Sequence, residues 1–162
     1  VSRLIRYGSR RILYLYTSYS YSGLNKMDGY KAALTSCGLP VREDLIHQCP
    51  KNLEDARDLL LRLSKQGIDF DAVVTSDDSL AVGAVKYAHA KGISVPDQLS
   101  IIGYNNSLLS RCTDPEITSI DSRVETLCTT TVKTLMEVFS GESVPSRTTI
   151  ASDLIKRNTT NF

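Results

Sequence analysis

The chain has 162 residues, with 19 basic against 18 acidic side chains and a formal net charge of +1; 41% of its residues are hydrophobic and 23% charged. That is the make-up of one globular domain, long enough to bury a core without disulfide or metal staples. Balanced charge argues against phosphate-backbone binding by the chain itself. No apolar run approaches the ~20 residues of a membrane span, and residues 1–11 lack the apolar stretch of a signal peptide.

Short apolar runs alternate with helical patterns along the chain. Residues 11–17 (RILYLYT) predict a strand, and residues 24–37 a helix stopped by Gly38 and Pro40. Residues 44–49 form a weaker strand. Asn52 is placed as an N-cap for a helix over 53–66, whose Leu53, Ala56, Leu59, Leu60 and Leu63 share one face; Gly67 stands where a C-terminal cap belongs. Residues 70–76 (FDAVVTS) are a buried-strand run, 79–91 a helix ending at Gly92, and 99–104 (LSIIGY) another strand. After Pro115 come a short strand at 117–120, then Ser122 and Glu125 in capping-box spacing, then an amphipathic helix ended by Gly141. Residues 148–151 and 153–157 are expected to be short strands. The β-α-β-α-β-α-β order, with continuously apolar strands, predicts an α/β fold: a parallel, doubly wound sheet with helices on both faces.

Cys37, Cys49, Cys112 and Cys128 form no Cys-x-x-Cys pair, and their spacing suits neither a zinc site nor a disulfide framework. They are read as small buried hydrophobes in a reducing compartment. His47 and His89 are far apart, and no nucleophile–base pair or phosphate loop is visible. Neither enzymatic activity, a metal site nor a cofactor is expected.

In doubly wound sheets, ligands sit outside the carboxyl ends of the strands. The first strand runs into Thr17, Ser18, Tyr19, Ser20, Tyr21 and Ser22, with Lys26 shortly after; the third ends at Ser76, Asp77 and Asp78; the fourth ends at Tyr104, Asn105 and Asn106. One rim therefore collects hydroxyls, a cation, carboxylates and amides, which suits a neutral, hydroxyl-rich ligand. Simpler roles stand beside this one. One of residues 77–79 is expected to cap a helix, Asn105 and Asn106 suit a turn, and Lys26 next to Asp28 suits a solvated lysine.

The helix at 79–91 is apolar on two sides. Ala81, Ala84, Val85 and Ala88 are assigned to the sheet, leaving Leu80, Gly83 and Tyr87 on the other face. With Leu108 and Leu109 from the loop after the fourth strand, these predict a homodimer contact across a two-fold axis. The alternative is cover from the same chain.

Residues 71–121, DAVVTSDDSLAVGAVKYAHAKGISVPDQLSIIGYNNSLLSRCTDPEITSID, resemble the effector-binding domain of the lactose-repressor/galactose-repressor (LacI/GalR) family of bacterial transcription regulators. GSRRILYLYT, DGYKAALTSCGLP and the closing DLIKRNTT match in the same order, so the resemblance covers essentially the whole chain. It implies a type I periplasmic-binding-protein-like fold, mainly the C-terminal lobe at 1–121. Residues 122–147 would hold a crossover helix that normally packs on an N-terminal lobe, and 148–162 the returning strands. It also implies a longer protein, with that lobe and a DNA-binding headpiece outside this sequence.

The family's effector-gripping arginine corresponds to Lys26, ahead of Gly29-Tyr30; its usual Asn after the third strand is Asp77, and its usual Asp after Gly-Tyr is Asn105. The last two departures exchange an amide and a carboxylate, leaving one of each. The implied function is a cytoplasmic, sugar-type effector sensor of a dimeric repressor, touching DNA only through the headpiece and no membrane. A sugar-binding transport component of the same fold is the alternative. A phosphoacceptor receiver domain shares the sheet, but it needs an acidic pair where residues 17–18 are Thr-Ser.

Overall fold

A computed structural model describes residues 1–17 and 21–162. Its strands are β1 (Ile12–Tyr16), β2 (Ile46–Gln48), β3 (Ala72–Thr75), β4 (Ser100–Tyr104), β5 (Thr118–Asp121) and β6 (Asp153–Ile155). The helices are α1 (Ser2–Arg6), α2 (Tyr21–Ser36), α3 (Leu53–Lys65), α4 (Asp78–Lys91) and α5 (Val124–Phe139). The six strands form one sheet in the order β2-β1-β3-β4-β5-β6, parallel except for β6, which runs antiparallel to β5. The predicted doubly wound α/β architecture is therefore present.

Strand β1 shows why its apolar run is continuous. Leu13 and Leu15 enter a core with Leu60 of α3 and Leu80 and Ala84 of α4, while Ile12, Tyr14 and Tyr16 enter a second core with Leu4 of α1 and Tyr30 and Leu34 of α2. Side chains alternate across a strand, so both faces must be apolar when helices cover both. The helix ends follow the sequence closely. Asn52 Oδ1 accepts from the Asp55 backbone N–H (2.7 Å), and Gly92 takes a left-handed φ of 64° after α4.

Several expectations need correction. Residues 148–151 form no strand, and the run at 153–157 contracts to β6. The next residues instead thread between strands: the Thr159 backbone carbonyl accepts from the Ile101 N–H (2.9 Å), and Thr159 Oγ1 accepts from the Thr118 N–H (2.9 Å). The Ser122/Glu125 capping box does not form. Arg123 is the N-cap residue of α5, with φ 51° and no side-chain cap, since a guanidinium has no acceptor for the first helical N–H groups; its own N–H donates to Asp121 Oδ1 (2.8 Å). All four cysteines are free, but Cys49 alone is buried; Cys37, Cys112 and Cys128 are exposed.

The dimer face drawn on α4 is also corrected. Leu80 is 0% and Tyr87 3% exposed. Gly83 abuts α3 so closely that a Cβ would lie 2.6 Å from Ala56 Cβ and 2.6 Å from the Leu53 carbonyl. Helix α4 is apolar on two sides because the sheet takes one and α3 of the same chain takes the other. Leu108 (75% exposed) and Leu109 (40%) do lie on the surface, in the 3₁₀ turn Leu108–Arg111. Helix α5 has no buried residue, and Val132 and Phe139 are 61% and 75% exposed.

Candidate effector site

The strand order reverses between β1 and β3, and the crevice opens at their carboxyl ends. There the Thr17 N–H donates to Ser76 Oγ (3.1 Å), tying the two strand ends together. Ser18, Tyr19 and Ser20, part of the expected hydroxyl run, lie outside the described residues.

Lys26, Asp77 and Asn105 come together at this crevice. Lys26, on the second turn of α2, donates from Nζ to the Ser76 carbonyl (3.2 Å) and stands 3.7 Å from the centroid of the Tyr104 ring. A cation over a ring face is held electrostatically. Asp77 is both helix cap and site residue. Its Oδ1 accepts from the Ser79 N–H (3.0 Å) and hydroxyl (2.7 Å) at the start of α4. Its Oδ2 accepts from Asn105 Nδ2 (3.0 Å) and pairs with Lys51 Nζ (2.8 Å).

The turn after β4 aims Asn105 at this carboxylate. Asn105 and Asn106 have φ values of 103° and 50°, a region Asn tolerates better than most residues. The turn is pinned from below by Asp78, which is 1% exposed. The Asp78 carboxylate accepts from the Ser107 N–H (2.7 Å), the Ser107 hydroxyl (2.8 Å) and the Ser119 hydroxyl (2.6 Å). Gly103 leaves room for it, since a Cβ there would lie 2.2 Å from Asp78 Oδ1. Asn106 turns away from the crevice and donates from Nδ2 to Asp121 (3.1 Å).

Ionisation follows from these contacts. Burial by itself would raise the Asp77 pKa, but the Lys51 ammonium and the two Ser79 donors outweigh it and hold the carboxyl below its ordinary value. Burial lowers the Lys26 pKa, and the Asp77 charge opposes that shift. Among the described residues, no cluster of His, Cys, Asp and Glu has metal-holding geometry, and no helix is long and apolar enough to cross a membrane.

Sequence reasoning missed Lys51, Tyr104 as a ring under a cation, and Asp78 as the anchor of the turn. Lys51 follows Pro50 just beyond β2, so the strand-end rule applied to the second strand points to it. Nothing in the local pattern separates the roles of Asp77 and Asp78; that depends on which carboxylate faces the crevice and which faces the loop.

The periplasmic binding protein-like domain matches residues 1–160. The chain is 57% identical over 162 residues to an HTH-type transcriptional regulator of Lachnoclostridium phytofermentans, covering 100% of this chain and 49% of that protein. Among solved structures, the Escherichia coli transcriptional repressor ascG aligns with a TM-score of 0.88 and 28% identity, over 98% of this chain and 58% of that one. A complex of the transcriptional regulator CelR with cellobiose aligns with a TM-score of 0.88 and 25% identity, over 98% and 49%. The chain spans about half the length of the curated relatives it matches. Topology, crevice and matched span agree with the likeness to LacI/GalR regulators read from the sequence: this chain belongs to the periplasmic binding protein-like domain family.

Proposed function

We propose that the chain is the C-terminal half of the effector-sensing domain of a bacterial transcriptional regulator, acting as a repressor, and that its effector is a sugar-type molecule. The observation that carries this reading is the 57% identity to an HTH-type transcriptional regulator across the whole chain. The cellobiose complex of the relative CelR supports a saccharide effector. Lys26, Asp77 and Asn105 contact the effector in this reading, and Lys51 and Asp78 position them.

Residues 1–121 form the lobe that carries the site, residues 122–147 cross to a second lobe, and 148–162 return. The exposed apolar face of α5 supports that division, since Val132, Met136 and Phe139 (59–75% exposed for the last two) lack a partner in their own lobe. The protein is a cytoplasmic homodimer with Leu108 and Leu109 at the contact, reaching DNA through a headpiece outside this sequence, and it catalyses no reaction. An effector that binds one lobe arrangement more tightly than another shifts the balance between them, and the headpieces follow.

The test is a mobility-shift assay with the full-length protein and DNA flanking its gene. Specific binding that a saccharide weakens or strengthens supports the reading, and Asp77→Ala should blunt the saccharide response. Residues 1–162 alone should give no specific shift. Absence of specific DNA binding by the full-length protein would reject the regulator reading.

A further inference from the structure

The charges in the crevice do not balance locally, and the imbalance falls on one side chain. Asp77 has four donors on its two oxygens: the Ser79 N–H and hydroxyl on Oδ1, Asn105 and Lys51 on Oδ2. The Lys51 ammonium offsets its charge. Lys26 has no ion pair among the described residues; its ammonium meets only a backbone carbonyl and the face of Tyr104. The Asp77 charge reaches Lys26 only from beyond ion-pair distance and is shared with Lys51, so the half-buried ammonium is left with room for an anionic ligand group.

The space beside Lys26 has the matching character. A cleft of about 710 Å³ opens between α2, the end of β4 and α5. Among the described residues that line it, Lys26 is the one charged side chain; Ser22, Asn25 and Ser152 supply neutral polar groups, and Ile120 and Leu127 supply apolar wall. The nearest acidic residue in sequence, Asp28, is exposed and two positions along α2, where side chains do not face each other. The volume accommodates a mono- or disaccharide-sized ligand.

We propose that the effector is an acidic polyol, a sugar carrying a carboxylate or a phosphate, and that Lys26 binds its anionic group. This rests on the sugar-effector reading above and narrows its ligand class. Ser22, Asn25 and Ser152 take the hydroxyls of the frame. Lysine suits either anion, since it acts as a point charge and not as a planar fork.

The experiment is isothermal titration calorimetry on the full-length protein, using neutral aldoses, the corresponding uronates and aldonates, and the corresponding sugar phosphates. One acidic member should bind about 10- to 100-fold tighter than its neutral parent, the range of a charge-assisted hydrogen bond. That advantage should shrink as salt rises from 50 to 500 mM, on the scale set by a Debye length of about 10 Å at 0.1 M. Lys26→Met should erase it and Lys26→Arg should retain most of it, with both variants checked for native circular dichroism. Preference for the carboxylate or the phosphate arm identifies the anion. A neutral sugar binding as tightly as its acidic forms, or an advantage untouched by Lys26→Met, would overturn the proposal while leaving the sugar-sensor reading intact. No binding by any saccharide would overturn both.

Discussion

Replacing Gly83 by alanine sets two physical effects against each other, and the structure decides the sign. In an exposed helix interior, Gly→Ala gains up to about 1 kcal/mol, because alanine loses less backbone entropy on folding. At Gly83 the new methyl would lie 2.6 Å from Ala56 Cβ, 2.6 Å from the Leu53 carbonyl oxygen and 3.1 Å from the Arg57 nitrogen. Optimal carbon–carbon contact is about 3.5–4.0 Å, so α3 and α4 must separate by roughly 1 Å. The blocking atoms are a methyl and two backbone atoms, none of which can rotate aside. Overpacking of this kind costs about 1–3 kcal/mol, and the upper half of that range applies here. The net effect is a loss of about 1–2 kcal/mol. With a urea m-value of about 2 kcal/mol per molar, the unfolding midpoint should fall by about 0.5–1 M. Gly29→Ala on α2 is the control. It is exposed, helical and free of any atom within 4 Å of the new Cβ, so its midpoint should rise by up to about 0.5 M. Urea titrations followed by far-ultraviolet circular dichroism measure both. A Gly83→Ala midpoint at or above that of the unmodified protein would refute the close packing of α3 on α4.

Exposure also sorts the thiols. Burial, reinforced by the Asp55 charge, pushes the Cys49 thiol up to about 11, whereas Cys37, Cys112 and Cys128 are exposed. At pH 8, Ellman's reagent should titrate three thiols in this domain when native and the fourth only in denaturant; four fast thiols would contradict the placement of Cys49. Tyr30 donates its hydroxyl to the Ile12 carbonyl (2.7 Å), and burial, aided by the Glu43 charge, pushes its pKa up to about 12. The folded state therefore holds the neutral phenol. Its contribution is complete below the unfolded pKa of about 10 and is lost as pH rises from there toward about 12. Urea midpoints should decline across that window, more shallowly in Tyr30→Phe; equal slopes would place the alkaline titration elsewhere. For the dimer, Leu108→Glu with Leu109→Glu should lower the sedimenting mass of the full-length protein to that of one chain. Leu80→Glu should instead unfold this domain, because the side chain is 0% exposed. A dimer indifferent to the pair at 108 and 109 would move the interface off this turn.

What the sequence determined by itself is local. Alternation places β1 with apolar side chains on both faces, Asn52 and Asp77 sit where caps belong, and the strand ends bring Lys26, Asp77 and Asn105 to one rim. These follow from periodicity, capping and the geometry of parallel sheets, all of which act within a few residues or through one simple topological rule. The tertiary structure decided what distant neighbours supply. Leu80, Gly83 and Tyr87 read as a free apolar face because a hydrophobic pattern says that a surface is covered and not by what; α3 covers it. Lys51 and Asp77 are 26 positions apart in sequence and meet only once β1 lies between β2 and β3. The capping-box spacing at Ser122 lost to a competing acceptor, because Asp121 accepts the Arg123 N–H while the Arg123 guanidinium reaches across to Asp153 on the returning strand. A one-dimensional pattern fixes each segment's preference, but a buried face, an ion pair or a cap is settled by whichever partner the folded chain brings closest.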